Sequence, residues 1–64
     1  MLTDRELWSC AYHYVKIHAE DAPIIAAMRA DELFAQGDLG GTRAYQAIVR
    51  RINQLLDGPS GQLH

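Results

Sequence analysis

Sixty-four residues with six Lys and Arg against eight Asp and Glu, a net charge of −2, make one small domain and argue against any general affinity for nucleic acid or acidic lipid. The single cysteine, Cys10, excludes an intrachain disulfide and a cysteine-rich zinc site, and it fits a reduced, cytoplasmic setting. No stretch approaches the roughly 18 consecutive apolar residues of a membrane span, and Met1-Leu2-Thr3-Asp4 is not a basic leader.

The spacing predicts a first helix over 3–18. Thr3-Asp4-Arg5-Glu6 is a capping box: the Thr hydroxyl accepts from the Glu6 N–H and the Glu6 carboxylate accepts from the Thr3 N–H. At about 100° per residue, Leu7, Cys10, Ala11, Tyr14, Val15 and Ile17 share one side, with Trp8 at its edge. His18 projects into the middle of that stripe.

Glu20-Asp21-Ala22-Pro23 stops one helix and starts another, over 22–36, with Asp21 as its N-cap and Pro in the first turn. The apolar stripe of this second helix is read as Ile24, Ala27, Met28, Ala30 and Phe34, with Leu33 at its flank. Asp31 projects into it. Ile25 falls on the polar side with Arg29, Glu32 and Gln36.

Gly37 suits the left-handed position that closes a helix. Asp38 is placed to cap a short turn, and Leu39 to cover the end of the core. The third helix, 42–57, is the cleanest in the chain, and the rest of the chain must cover its apolar residues. These are Tyr45, Ile48, Val49, Ile52, Leu55 and Leu56; Arg43, Gln46, Arg50, Arg51, Asn53 and Gln54 lie opposite. Gly58-Pro59 is expected to stop it and to leave 59–64 as a flexible tail. The expected fold is all-α: a small three-helix bundle of sequential antiparallel helices, forming one domain over 1–58.

Few residues suggest chemistry. His18 and Asp31, each inside an apolar stripe, read best as a structural polar pair tying two helices together; a general-base dyad would also need a nucleophile. Cys10 reads as a small buried residue. The positions of His13, His18, Glu20 and Asp21 fit no known metal-ligand spacing, so neither a metal nor a cofactor is expected. Arg43, Gln46, Arg50 and Gln54 line one long polar face of the kind that reads base edges, and this is the alternative function. The remaining basic residues are scattered and the chain is acidic, so a solvated face is favoured there. Trp8, Tyr12 and Ile25 sit at or beyond the stripe edges and make the candidate surface for a protein partner.

The segments Leu2-Thr3-Asp4-Arg5-Glu6-Leu7-Trp8, Glu20-Asp21-Ala22-Pro23 with Ala27-Met28-Arg29-Ala30, Gly37-Asp38 and Arg50-Arg51-Ile52 give the chain a resemblance. It resembles a family of short, uncharacterised bacterial proteins found mainly in alphaproteobacteria. That resemblance implies a small helical domain and transfers no functional residue. The expectation is an interaction or accessory module without enzymatic activity, acting as a homodimer or docked to another protein. The charge is also uneven: seven acidic and three basic residues precede Gly41, whereas Arg43, Arg50 and Arg51 face only Asp57 after it.

Overall fold

The computed structural model describes the backbone of residues 2–62 and the side chains of 2–57. It is all-α, with α1 at Asp4–His18, a 3-10 turn at Ala19–Asp21, α2 at Ala22–Ala35 and α3 at Leu39–Gln62. No described helix is long and apolar enough to cross a membrane.

The capping box forms. Thr3 Oγ1 accepts the Glu6 N–H at 3.2 Å, and Glu6 Oε1 accepts the Thr3 N–H at 2.8 Å. The bond from the Thr3 backbone does most to hold the Glu6 carboxyl below its ordinary value. Its contribution to stability is therefore present above the usual carboxylate range and is lost as pH falls through that lowered value.

α1 ends at His18, and the next residue, Ala19, turns the chain with φ +50° and ψ −122°. Asp21 does not cap α2 through its side chain. Its own backbone is already helical, at φ −82° and ψ −8°, whereas an N-cap that bonds the first turn is extended. Pro23 sits in the first turn, as expected.

α2 closes in a Schellman motif. Gly37 takes φ +82°, its N–H bonds the Phe34 carbonyl at 3.0 Å, and the Asp38 N–H bonds the Leu33 carbonyl at 2.9 Å. Asp38 then caps the next helix at once, accepting the Gly41 N–H at 2.8 Å. This is why α3 begins at Leu39, three residues before the expected start, with both glycines inside it. Thr42 is buried and donates from Oγ1 to the Asp38 carbonyl at 2.7 Å. Leu39 is exposed and does not cover the core, because as the first residue of α3 it projects away from Ile48. α3 also continues to Gln62, past Gly58-Pro59. Proline removes one N–H donor but has a helical φ, so it can be carried within a helix at a cost of roughly 3 kcal/mol. Of the expected tail, 63–64 lie outside the described residues.

α3 does most of the packing. It lies against both α2 and α1, while α1 and α2 touch each other far less than sequential pairing implies. The core joins Ala11 of α1, Ala22 and Ala26 of α2, and Ile48 and Ile52 of α3; Leu7, Tyr14, Val15, Tyr45 and Val49 pack around it.

The buried face of α2 is Ala22, Ala26, Ala30 and Leu33, not the Ile24–Phe34 stripe. Small side chains let α2 approach α3 closely, and that choice turns Ile24, Met28 and Phe34 outward. They are 62%, 57% and 64% exposed.

Candidate interaction surface

Of the three residues expected to meet a partner, only Tyr12 is well exposed, at 63%. Trp8 is half-buried because the Arg51 guanidinium lies 5.2 Å from its ring centroid and covers it. Arg51 also pairs with the Asp4 carboxylate, which ties α3 to the start of α1. Arg51 is thus removed from the polar face to which the spacing assigned it. Ile25 is half-buried on α2, since it flanks the alanine face that meets α3. The expected patch is therefore reduced to Tyr12.

His18 and Asp31 do not form the expected pair. His18 is half-buried and packs on Tyr14, with ring centroids 5.8 Å apart. Asp31 is exposed on the outer side of α2, because the helix is rotated to bury its alanines. Water solvates the Asp31 carboxylate, so it needs no protein partner.

The polar groups that do meet are the tyrosines. Tyr14 donates to the Tyr45 hydroxyl at 3.4 Å, and the rings stand edge to face at 6.1 Å and 87°. Burial first, then this hydrogen bond, pushes the Tyr14 hydroxyl up to about 12. Beside them Arg29 Nη1 bonds Glu32 Oε1 at 3.2 Å, which holds the guanidinium in its charged form. The tyrosines form one wall of an open groove of about 520 Å³, with Cys10, His13, Ile17 and His18 on its α1 side. Cys10 is half-buried and free. Among the described residues no three His, Cys, Asp or Glu side chains come together to hold a metal.

Arg43, Gln46, Arg50 and Gln54 are all exposed on one side of α3, as the spacing predicts. A second groove of about 560 Å³ runs beside Arg43 between the start of α1 and α3, walled by Leu2, Leu7, Ala44 and Ala47.

Sequence reasoning missed the outer face of α2. Ile24, Met28, Asp31 and Ala35 succeed one another at spacings of four, three and four, with Ala27 and Phe34 alongside. The signal was Asp31. A carboxylate in the middle of an apolar stripe argues that the stripe is outside, and Ala22, Ala26, Ala30 and Leu33 offer an equally good helical face for the core.

Compared with family models, curated proteins and solved structures, the chain matches none.

Proposed function

We propose that this chain is a cytoplasmic protein-interaction module that docks through the outer face of α2. One observation carries the reading: the chain buries alanines and leaves Ile24, Met28 and Phe34 outside on a single helix face. Exposed apolar side chains scattered singly need no explanation, but three large ones on one helical face form a docking surface. Tyr12 is an exposed aromatic on α1 and is available as a further contact. The lone cysteine fits a reducing compartment.

A photo-reactive side chain in place of Met28 tests the reading in the cells that make the protein. A discrete adduct formed at Met28, absent when the probe replaces Gln46 and suppressed by Phe34→Glu, is the expected result. No adduct at Met28, or equal labelling from Gln46, would remove the basis for the proposal.

The exposed row of Arg43, Gln46, Arg50 and Gln54 supports a second reading, binding to nucleic acid along α3. Two arginines neutralise few phosphates, and the chain carries a net charge of −2, so this reading ranks below the first. It requires duplex binding at low salt that weakens steeply as salt is added.

A further inference from the structure

We infer that the groove between the start of α1 and α3 binds a small aliphatic anion, an alkyl carboxylate whose chain lies along α3 and whose head meets Arg43. This site is separate from the outer face of α2 and goes beyond the docking reading.

The walls decide the body of the ligand. Leu2 and Leu7 stand on the α1 side, and Gly40, Ala44 and Ala47 on the α3 side. Arg43 is the one side chain along the groove that can hydrogen-bond, and no ring lines it, in contrast to the tyrosine-walled groove. An aromatic or many-headed polar ligand finds no partners here, whereas a saturated chain exchanges water for aliphatic contact along its whole length. The volume, about 560 Å³, is that of a small-molecule site.

Arg43 decides the head. It is exposed, and among the described residues it forms no ion pair; the arginines that do are Arg29 and Arg51. The carboxylates nearby in sequence are occupied elsewhere and do not line the groove. Asp4 pairs with Arg51, Glu6 accepts the Thr3 N–H, and Asp38 accepts the Gly41 N–H. One free guanidinium at the side of an aliphatic trough is complementary to one carboxylate on one chain.

The length follows from α3. Gly40 to Ala47 rises about 10 Å along the helix axis. A zigzag of carbon–carbon bonds of about 1.5 Å covers that distance in about eight carbons. Chains up to this length gain contact with each methylene, and longer ones extend past the walls into water.

Amide chemical shifts of the isotope-labelled chain, titrated with octanoate below its micelle concentration, read the outcome. Saturable shifts are expected at Gly40, Arg43, Ala44 and Ala47. Affinity should rise about tenfold from hexanoate to octanoate and level off by dodecanoate, since a buried methylene is worth up to about fourfold and an open groove gives somewhat less. Arg43→Gln should weaken octanoate about threefold or more and leave octanol unchanged. Ala44→Leu, which fills the groove, should abolish both, with circular dichroism to verify its helices. If that variant fails to fold, the chain-length series and the exposed Arg43→Gln still decide the matter. Octylammonium binding as tightly as octanoate overturns the inference. So does an affinity that keeps climbing through dodecanoate, a set of shifts gathered at Tyr14 and Tyr45 instead, or no saturable shift at all. None of these failures touches the α2 docking reading, which the probe at Met28 tests on a different face.

Discussion

The Asp38 carboxylate accepts the Gly41 N–H at 2.8 Å and occupies the space that a side chain at position 41 would need. A Cβ added at Gly41 would lie 2.5 Å from Asp38 Oδ2. Cap and glycine therefore depend on each other, and a double-mutant cycle should show it. Asp38→Ala alone is expected to cost about 1 kcal/mol, the usual value of an N-cap. Gly41→Ala alone should change little, because about 0.5–1 kcal/mol gained in helix propensity offsets the displaced cap. In the Asp38→Ala background the same substitution should stabilise by that full amount. Denaturant melts that show the two changes simply adding would refute the coupling.

Arg51 should matter more than the ion it pairs with. Asp4 is well exposed, so Asp4→Asn is expected to cost under about 1 kcal/mol, and less at high salt. Arg51→Ala also uncovers the Trp8 ring, for a loss of roughly 1–2 kcal/mol and a red shift in Trp8 emission. Arg51→Lys should restore only part of either, since an ammonium stacks less well than a guanidinium. Equal losses from Asp4→Asn and Arg51→Ala would show that the stacking contributes nothing.

Ile52 is fully buried, whereas Ile24 is not. Ile52→Ala is expected to cost about 2–5 kcal/mol. That is comparable with the whole stability of a domain this size, roughly 3–5 kcal/mol, so the variant should be largely unfolded. Ile24→Ala should leave the thermal melt of a dilute sample nearly unchanged. A reversed order would mean that α2 is turned the other way.

Tyr14 should give up its proton late. Its ionisation is pushed from 10.0 to about 12, so the folded chain holds this proton after the unfolded chain has released it. Stability is then complete below about pH 10 and falls as pH rises toward 12. Absorbance at the tyrosinate band should resolve one late step. Tyr45→Phe should move that step down only in part, because burial is the larger cause. The absence of a late step for Tyr14 would contradict the contact.

Local signals in the sequence carried far. Thr3 with Glu6, and Gly37 with Asp38, are motifs that satisfy backbone groups within a few residues, and they form where the pattern puts them. The rotation of α2 was marked in the sequence only by Asp31, a weaker sign than a capping motif. Both of its faces are apolar by residue type, and the choice depends on how closely α3 can approach, which is a property of the pair. Arg51 meeting Asp4 across 47 positions is likewise a tertiary choice, since periodicity places Arg51 only on a polar flank. His18 and Asp31 read as partners by pattern because both interrupt an apolar stripe, but one of those stripes faces water.

Chirality enters at Ala19. An L-residue at φ +50° and ψ −122° is strained by about 1–3 kcal/mol, and that single residue redirects the chain from α1 into the 3-10 turn before α2. The mirror image of this conformation, close to the first corner of a type II turn, is comfortable for an L-residue, so the observed one is comfortable for a D-residue. The methyl group is exposed. A synthetic chain with D-alanine at 19 should melt higher than the natural one. Ala19→Gly should fall between them, because glycine removes the strain but loses more freedom on folding. Among the described residues this joint is where an L side chain sits at positive φ, and there the opposite hand is the better fit.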